Sequence, residues 1–235
     1  MTRISRRHPR YRSLRIRHQL GKELQSGLVV PEGLMAHGRG EAFDYLLGER
    51  SSASALRAER VAAQWLLSAR HPVLSVNGNV AALAATEVAR LSRVIPKLRV
   101  EVNLFHRSPA RVRAVARRLQ AAGVRHIYGI HPDGRVPGLP SDRALVDREG
   151  ILRADVCLIP LEDGDRTAAL KQLGKRVISI DLNPMSRTSL DADLPIIDEL
   201  VRALRTIARW GGQKESGKAR RAAPSPAALR ADAFR

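Results

Sequence analysis

The sequence predicts an α/β protein: a doubly wound parallel sheet of about six strands, flanked by helices and preceded by a helical N-terminal segment. Two observations predict this class. From residue 71 onward, short apolar runs alternate with longer segments of helical periodicity, which is typical of parallel sheets whose successive strands are joined by helices. The chain is also 44% apolar but only 3% aromatic, so its core must be built from Val, Leu, Ile and Ala.

The first 70 residues predict a helical layer. A helix is expected from about Tyr11 to Gln25, and the spacing of apolar residues predicts another over 53–69, which ends before His71-Pro72. Between them, "AHGRGEAFDYLLGER" contains two glycines around Arg39. We expect a flexible polar turn there, ahead of an apolar helix.

The core is predicted over residues 71–212, so that 1–212 forms a single domain. The expected strands are 73–76, 98–105, 125–130, 154–161, 176–182 and 194–198, and the expected helices are 79–95, 108–123, 165–174 and 199–210. Residues 213–235 are basic and contain Gly, Pro and Ala without an apolar face. This composition predicts a disordered tail.

The net charge of +18 is concentrated at the two ends of the chain. Residues 1–26 contain seven Arg, one Lys and one Glu, and residues 201–235 contain nine basic and two acidic side chains. The 174 residues between them therefore carry only about +4. Basic ends bind polyanions without specificity, and the scattered aromatic residues form no stacking platform. We expect no dedicated nucleic-acid partner.

A single cysteine, Cys157, lies within the apolar run "ADVCLIPL". It excludes an intramolecular disulfide and a Cys-based zinc site, and its apolar setting favours a buried structural thiol. No run approaches the roughly 20 apolar residues of a membrane helix, and the N-terminus has no apolar core of the signal-peptide kind. We expect a cytoplasmic location and no membrane partner.

Polar clusters follow several predicted strands, where open α/β sheets bind their ligands. Asn77-Gly78-Asn79 could approach an anion with backbone N–H groups, although a tight turn with an Asn cap explains this pattern better on its own. Glu162, Asp163 and Asp165 crowd the next candidate turn, ahead of Arg166. Three carboxylates so close together favour Mg²⁺ or a charged substrate, and a helix N-terminal cap is the alternative.

A third cluster follows "VISIDL", where Asp181, Asn183 and Arg187 stand among hydroxyl side chains. His37 and Arg39 lie in the glycine-rich segment, and Arg107 and Arg135 lie near other strand ends. Because guanidinium groups accompany nearly every cluster, we expect an anionic ligand. Neither G-x-G-x-x-G nor a P-loop pattern is present.

Six blocks in this order resemble archaeal phosphopantothenate synthetases, the 4-phosphopantoate–β-alanine ligases of coenzyme A biosynthesis. They are "HPRYRSL", "GLMAHGRGEAFDYLLGER", "PVLSVNGNVAAL", "GIHPDGRVPGL", "ADVCLIPLEDGDRTAAL" and "VISIDLNPMSRTS". The resemblance runs from about His8 to Asp198, and nothing after Trp210 shares it. It implies a Rossmann-like homodimer that uses ATP and Mg²⁺ to join 4-phosphopantoate to β-alanine, releasing AMP and diphosphate through an acyl-adenylate.

The resemblance also implies positions for the site. Nucleotide contacts are expected at Arg17, Arg39, Asp181, Leu182, Asn183, Arg187, Thr188, Glu199 and Leu200. From the polar clusters themselves, and not from the resemblance, we expect catalytic roles for Asp163, Asp165, Arg166 and His37, with Mg²⁺ near Glu162, Asp163 and Asp165. The same clusters give Asn77, Gly78, Asn79, Arg107 and Arg135 as the expected positions for phosphopantoate.

Two other classes of function stay open at this point. One is a different Rossmann-like nucleotide-binding enzyme, such as a kinase or a dehydrogenase. The other is a basic nucleic-acid-binding protein, whose affinity would collapse as the salt concentration rises.

Overall fold

The computed structural model describes residues 4–213 and 225–231. Strands within these residues are β1 Pro72–Val76, β2 Arg99–Val102, β3 Ile127–Tyr128, β4 Gly134–Arg135, β5 Leu145–Val146, β6 Val156–Pro160, β7 Arg176–Ile180 and β8 Leu194–Ile196. The helices are α1 Tyr11–Gln25, α2 Pro31–Leu46, α3 Ala53–Ser68, α4 Gly78–Val94, α5 Pro109–Ala122, α6 Gly164–Gln172, α7 Arg187–Asp191, α8 Leu200–Gly211 and α9 Pro226–Ala231. None of these helices is long and apolar enough to cross a lipid bilayer.

The main sheet has six strands within the described residues, in the order β3-β2-β1-β6-β7-β8. Every neighbouring pair is parallel, and β4 and β5 form a separate antiparallel pair. The chain builds the sheet outward from β1 in one direction and from β6 in the other. The predicted parallel α/β fold with a helical N-terminal segment is confirmed, and its topological switch point lies between β1 and β6.

Side-chain caps determine where several helices start. Ser52, Asn77, Ser108, Asp163 and Ser186 each accept a hydrogen bond from a backbone N–H in the first turn of the helix that follows. An N-cap oxygen satisfies a backbone donor that has no partner within the helix, which stabilises the helix by about 1 kcal/mol. Four of these caps directly follow or lie near the carboxyl ends of strands, so they also shape the edge of the sheet.

Two apolar layers cover the sheet. The larger layer contains buried residues of α3, α4, α5 and α8, and the smaller one packs the 136–154 segment and α6 onto the opposite face. Both consist mainly of Val, Leu, Ile and Ala, as the composition predicts. Cys157 belongs to the smaller layer, where burial raises the pKa of its thiol to about 12. It is therefore a structural thiol.

Two expectations about local structure were wrong. The segment around Arg39 is not a turn, because α2 runs without interruption through Gly38 and Gly40. The predicted disordered tail contains α9, whose Leu229 is 2% exposed within the larger apolar layer. The rest of that prediction concerns residues 214–224 and 232–235, which lie outside the described residues.

Candidate active site

The switch point is closed by the side chain of Asn77, which follows β1. Its amide nitrogen donates to the carbonyls of Pro160 and Leu161 at the end of β6, at 3.2 and 2.9 Å. Its amide oxygen accepts from the backbone of Val80 at 3.0 Å and caps α4. Asn77 thus joins the two strands that flank the crevice, and its side chain is fully used in doing so.

Gly78 and Asn79 hold the N-terminal layer against the sheet. A Cβ at Gly78 would collide with the carbonyl oxygen of Leu28. The amide nitrogen of Asn79 donates to the carbonyl of Gly33 in α2 at 2.8 Å. The predicted phosphopantoate positions 77–79 therefore have packing contacts in this structure, and only their backbone remains as a candidate ligand for an anion.

The turn after β6 is an ion-pair cluster rather than a free set of carboxylates. Glu162 binds Arg166 through one oxygen and Arg143 through the other. Asp163 caps α6, and its second oxygen lies 2.8 Å from Nε of Arg143. Burial of these charges is tolerated because each carboxylate has a guanidinium partner.

Arg166 is completely buried, at 0% exposure, and donates to the hydroxyl of Ser75 in β1 at 2.9 Å. It braces the turn, and its expected catalytic role stays a prediction. Asp165 differs from its neighbours: its carboxylate and the guanidinium of Arg187 are both exposed and lie 2.6 Å apart. Asp163 and Asp165 remain the candidates for contact with a substrate.

The acidic turn does not fit a magnesium site built by the protein. Both oxygens of Glu162 and one oxygen of Asp163 are held by arginines. In the part of the chain that the structure describes, no group of three or more His, Cys, Asp or Glu side chains is arranged to hold a metal ion.

The segment after β7 forms a compact polar loop beside α2. Asp181 accepts from the backbone of Asn183 at 2.9 Å, and Asn183 accepts from the backbone of Met185 at the same distance. Burial raises the pKa of Asp181, and the nearby positive charge of Arg39 opposes this shift. A Cβ at Gly40 would lie 3.6 Å from Leu182. The fold thus brings Arg39 together with the 181–183 loop.

Thr188 links the two turns that follow β6 and β7, because its hydroxyl donates to the carbonyl of Glu162 at 2.8 Å. A Cβ at Gly164 would collide with the side chain of Arg187. Glycine is therefore required at position 164 for α6 and α7 to approach each other at the edge of the crevice.

The end of β8 is connected to α2 through buried charges. Arg202 binds both Asp198 and Asp44, and Glu199 caps α8 through the backbone of Val201 and Arg202 at 2.9 and 3.1 Å. Burial raises the pKa of Glu199. Both residues 199 and 200 are predicted nucleotide contacts. Glu199 is buried in the cap of α8, and Leu200 is buried in the larger apolar layer.

On the other side of the switch point, Arg107 is half-buried and donates to the carbonyls of Gly129 and Ile130 at 2.8 and 3.2 Å. Burial lowers its pKa. Arg135 is exposed in β4 and makes a hydrogen bond of 3.4 Å to Leu139. Within residues 4–213 and 225–231, no hydrogen bond or ion pair links the side chain of Arg107 or Arg135 to the acidic turn or to the 181–183 loop.

A pocket of about 370 Å³ lies between α1 and α2. It is lined by Arg10, Arg17, Leu34, His37, Gly38, Glu41, Ala42 and Tyr45. Burial lowers the pKa of His37. The sequence indicated Arg17 and His37, and Glu41 as part of the same polar segment, but not Arg10 or Arg143. A buried ion-pair partner has no local pattern that distinguishes it from other charged residues.

Fold and site together define a Rossmann-like α/β protein whose polar groups gather at the carboxyl edge of a parallel sheet. The family model for phosphopantothenate/pantothenate synthetase matches residues 54–223. The chain belongs to this family.

Curated relatives agree with the family match. A 4-phosphopantoate–beta-alanine ligase of Methanospirillum hungatei is 57% identical over 203 residues, covering 86% of this chain and 82% of the relative. The ligase of the same name from Methanosarcina mazei is 51% identical over 210 residues, covering 89% and 82%. That from Thermococcus kodakarensis is 49% identical over 204 residues, covering 86% and 78%.

Proposed function

We propose that this chain is an ATP-dependent ligase that joins the carboxylate of 4-phosphopantoate to the amine of β-alanine. The product is 4′-phosphopantothenate, an intermediate of coenzyme A biosynthesis. The observation that carries the proposal is the identity of 49–57%, over most of the chain, to relatives that bear this ligase name. The exposed guanidinium groups of Arg39 and Arg187 near the carboxyl edge of the sheet support it, because two of the three substrates are phosphorylated anions.

The reaction we propose proceeds through an acyl-adenylate. A carboxylate oxygen of phosphopantoate attacks the α-phosphorus of ATP, and diphosphate leaves. The amine of β-alanine, after losing a proton, then attacks the acyl carbon, forming the amide bond as AMP leaves with the electron pair of the C–O bond. No nucleophile from the protein is needed, so alignment of the reactants and charge neutralisation supply the catalysis.

The described residues suggest a division of labour. Arg39 beside Asp181 and Arg187 beside Asp165 are exposed guanidinium groups that can bind phosphate oxygens. Asp163 or Asp165 can accept a hydrogen bond from the β-alanine ammonium before it loses its proton. Mg²⁺ enters the proposal as the partner of ATP that neutralises phosphate charge, and no protein-held magnesium site is part of it.

The proposal also includes a homodimer and a cytoplasmic enzyme. The dimer is tested by light scattering of the purified chain, where a mass near twice 25.9 kDa is expected.

A product assay tests the central reaction. Incubation with ATP, phosphopantoate and β-alanine is expected to yield AMP, diphosphate and phosphopantothenate in equal amounts, and omission of any one substrate is expected to abolish the amide product. ADP and phosphate in place of AMP would show that the activated intermediate is an acyl-phosphate and not an acyl-adenylate. No amide product with all three substrates present would reject the ligase.

A further inference from the structure

The pocket between α1 and α2 contains a buried carboxylate between two arginines. Glu41 is 6% exposed. Nη2 of Arg10 lies 2.8 Å from one of its oxygens, and Nε of Arg17 lies 2.6 Å from the other. A carboxylate so placed holds both guanidinium groups in fixed positions by charge-assisted hydrogen bonds.

Arg17 uses only one edge of its guanidinium group in this arrangement. Its Nε donates to both oxygens of Glu41, at 2.9 and 2.6 Å, and among the described residues no hydrogen bond of its terminal amino groups is found. The side chain is 50% exposed and lines the pocket. The two terminal amino groups therefore remain available as a fork for an anion.

Glu41 cannot easily turn away from Arg17, because Arg10 is anchored in its own right. Nε of Arg10 lies 3.3 Å from Glu49, and its guanidinium stacks 4.8 Å from the ring of Tyr45. The hydrogen bond to Glu41 also raises the pKa of Arg17, so that its positive charge is secure.

The pocket has a further polar atom without a partner in the described part of the chain. Nε2 of His37 is shielded from solvent and makes no hydrogen bond there, and it lies 3.9 Å from Glu41. This nitrogen and the fork of Arg17 belong to the same pocket lining. Both suit a ligand that is rich in oxygen atoms and negatively charged.

We infer that Glu41, braced by Arg10, is a positioning residue that holds the terminal amino groups of Arg17 ready for the phosphates of a nucleoside triphosphate in this pocket. The inference rests on the proposed function for the identity of the nucleotide. A free arginine loses side-chain conformational entropy when it binds a ligand. Glu41 removes part of that cost before the nucleotide arrives, which increases affinity without contact between Glu41 and the ligand.

The test is a double-mutant cycle on ATP binding, measured by calorimetry in the presence of Mg²⁺ and without the other substrates. Glu41→Gln keeps the size of the side chain but weakens its hold on Arg17, and we expect ATP binding to weaken about tenfold through loss of preorganisation. Arg17→Ala is expected to weaken binding at least as much. In the double variant, Glu41→Gln should add nothing to Arg17→Ala, because it acts only through Arg17.

Glu23→Gln is the matched control. It changes a buried glutamate of α1 that pairs with Arg118 and not with Arg10 or Arg17, and it should leave ATP affinity within about twofold of the unchanged protein. If Glu41→Gln does not fold, Arg10→Gln takes its place in the cycle. That variant is expected to weaken ATP binding less, and again only when Arg17 is present.

Three results would overturn the inference: unchanged ATP binding in Glu41→Gln, tighter binding because Glu41 competes with the phosphates, or an equal loss with and without Arg17. These outcomes are separable from failure of the proposed function. In that case the unchanged protein binds ATP but forms no amide from the three substrates. If it does not bind ATP at all, both the inference and the proposed function are rejected.

Discussion

Individual arginines organise the carboxyl edge of the sheet. Arg166 and Arg143 both hold Glu162, and Arg202 holds Asp44 and Asp198. Removal of one partner from a buried pair leaves an uncompensated charge, at a cost of about 3–5 kcal/mol. These arginines therefore fix the turn that leads into α6 and the exposed Asp165, and they hold α2, which contains Arg39.

Glu59 is a strongly perturbed carboxyl group in this network. It is 0% exposed in α3, and burial together with the neighbouring Asp198 raises its pKa to about 10. When the pKa of a carboxyl group is higher in the folded than in the unfolded state, its contribution to the free energy of unfolding is fully present below the unfolded-state pKa. That contribution is lost as the pH rises through the folded-state pKa.

Glu59→Gln should therefore separate from the unchanged protein as the pH rises. Glutamine does not titrate and resembles the protonated acid in shape. The free energy of unfolding of the variant is measured with denaturant and compared with that of the unchanged protein. We expect the difference to shift in favour of the variant between pH 5 and 9, by at most about 1.4 kcal/mol per pH unit. Glu87→Gln is the control, because Glu87 is buried but paired with Arg205. A pH-independent difference for Glu59→Gln would show that Glu59 is ionised in the folded protein.

The short elements at the crevice have both structural and chemical roles, and the turn that opens α6 shows this best. Asp163 caps the helix and pairs with the buried Arg143, whereas Asp165 is exposed beside Arg187. A substitution at position 163 therefore changes packing as well as chemistry. One at position 165 changes only a surface ion pair, which contributes at most about 1 kcal/mol.

We expect Asp165→Asn to lower turnover at least about tenfold with an unchanged Tm, and Asp163→Asn to lower both turnover and Tm. A raised KM for β-alanine would assign the carboxylate to the ammonium group. Glu149→Gln, in an exposed pair with Arg153, should change neither quantity. Normal turnover in both Asp variants would leave the turn as a helix cap alone.

Helix α9 stabilises the end of the sheet although the sequence predicted no structure there. Leu229 is buried, and Arg230 donates to the carbonyl of Ser189 at 3.1 Å. Leu229→Ala is expected to lower the free energy of unfolding by about 1–2 kcal/mol, less than for a central leucine because a terminal helix can detach locally. The same change at Leu173, which is 40% exposed, should cost much less. Equal effects of the two variants in denaturant unfolding would show that α9 does not dock in solution.

Elements with a strong pattern could be predicted, and those fixed by distant contacts could not. The apolar runs around Cys157 and Ile178 predict β6 and β7 because a buried parallel strand needs them on both faces. The sequence predicted a turn around Arg39, within α2, because each glycine disfavours a helix by about 1 kcal/mol. Gly33 and Gly40 face Asn79 and Leu182 across short distances, so close packing outweighs that cost.

At the scale of the whole molecule, the interactions that hold α2 in place differ from those that hold the strands of the sheet. The buried residues of α2 are Glu41 and Asp44, and both have acidic side chains. They bind Arg10 and Arg17 of the N-terminal segment and Arg202 of α8. The central strands, in contrast, are buried in apolar layers on both faces. Sequence periodicity locates the apolar layers but gives no partner for a buried charge, which is why the site was predicted less completely than the fold.

This difference predicts an unequal distribution of local stability. Segments with few buried apolar contacts open more often than the core, so α2 is expected to exchange its amide hydrogens much faster than β1, β6 and β7. Salt should increase the difference, because it screens the ion pair between the half-exposed Arg17 and Glu41 more than it affects the apolar layers of the sheet. ATP should slow exchange in α2, since Arg39 and the pocket that includes Arg17 both belong to this layer.

Hydrogen–deuterium exchange followed by mass spectrometry measures the exchange rate of α2 relative to the strands and the effects of salt and ATP on it. Helix α3 is the internal reference, because its buried residues are mostly apolar. Protection of α2 equal to that of the central strands, unaffected by salt and ATP, would mean that the ion pairs hold it as rigidly as an apolar core.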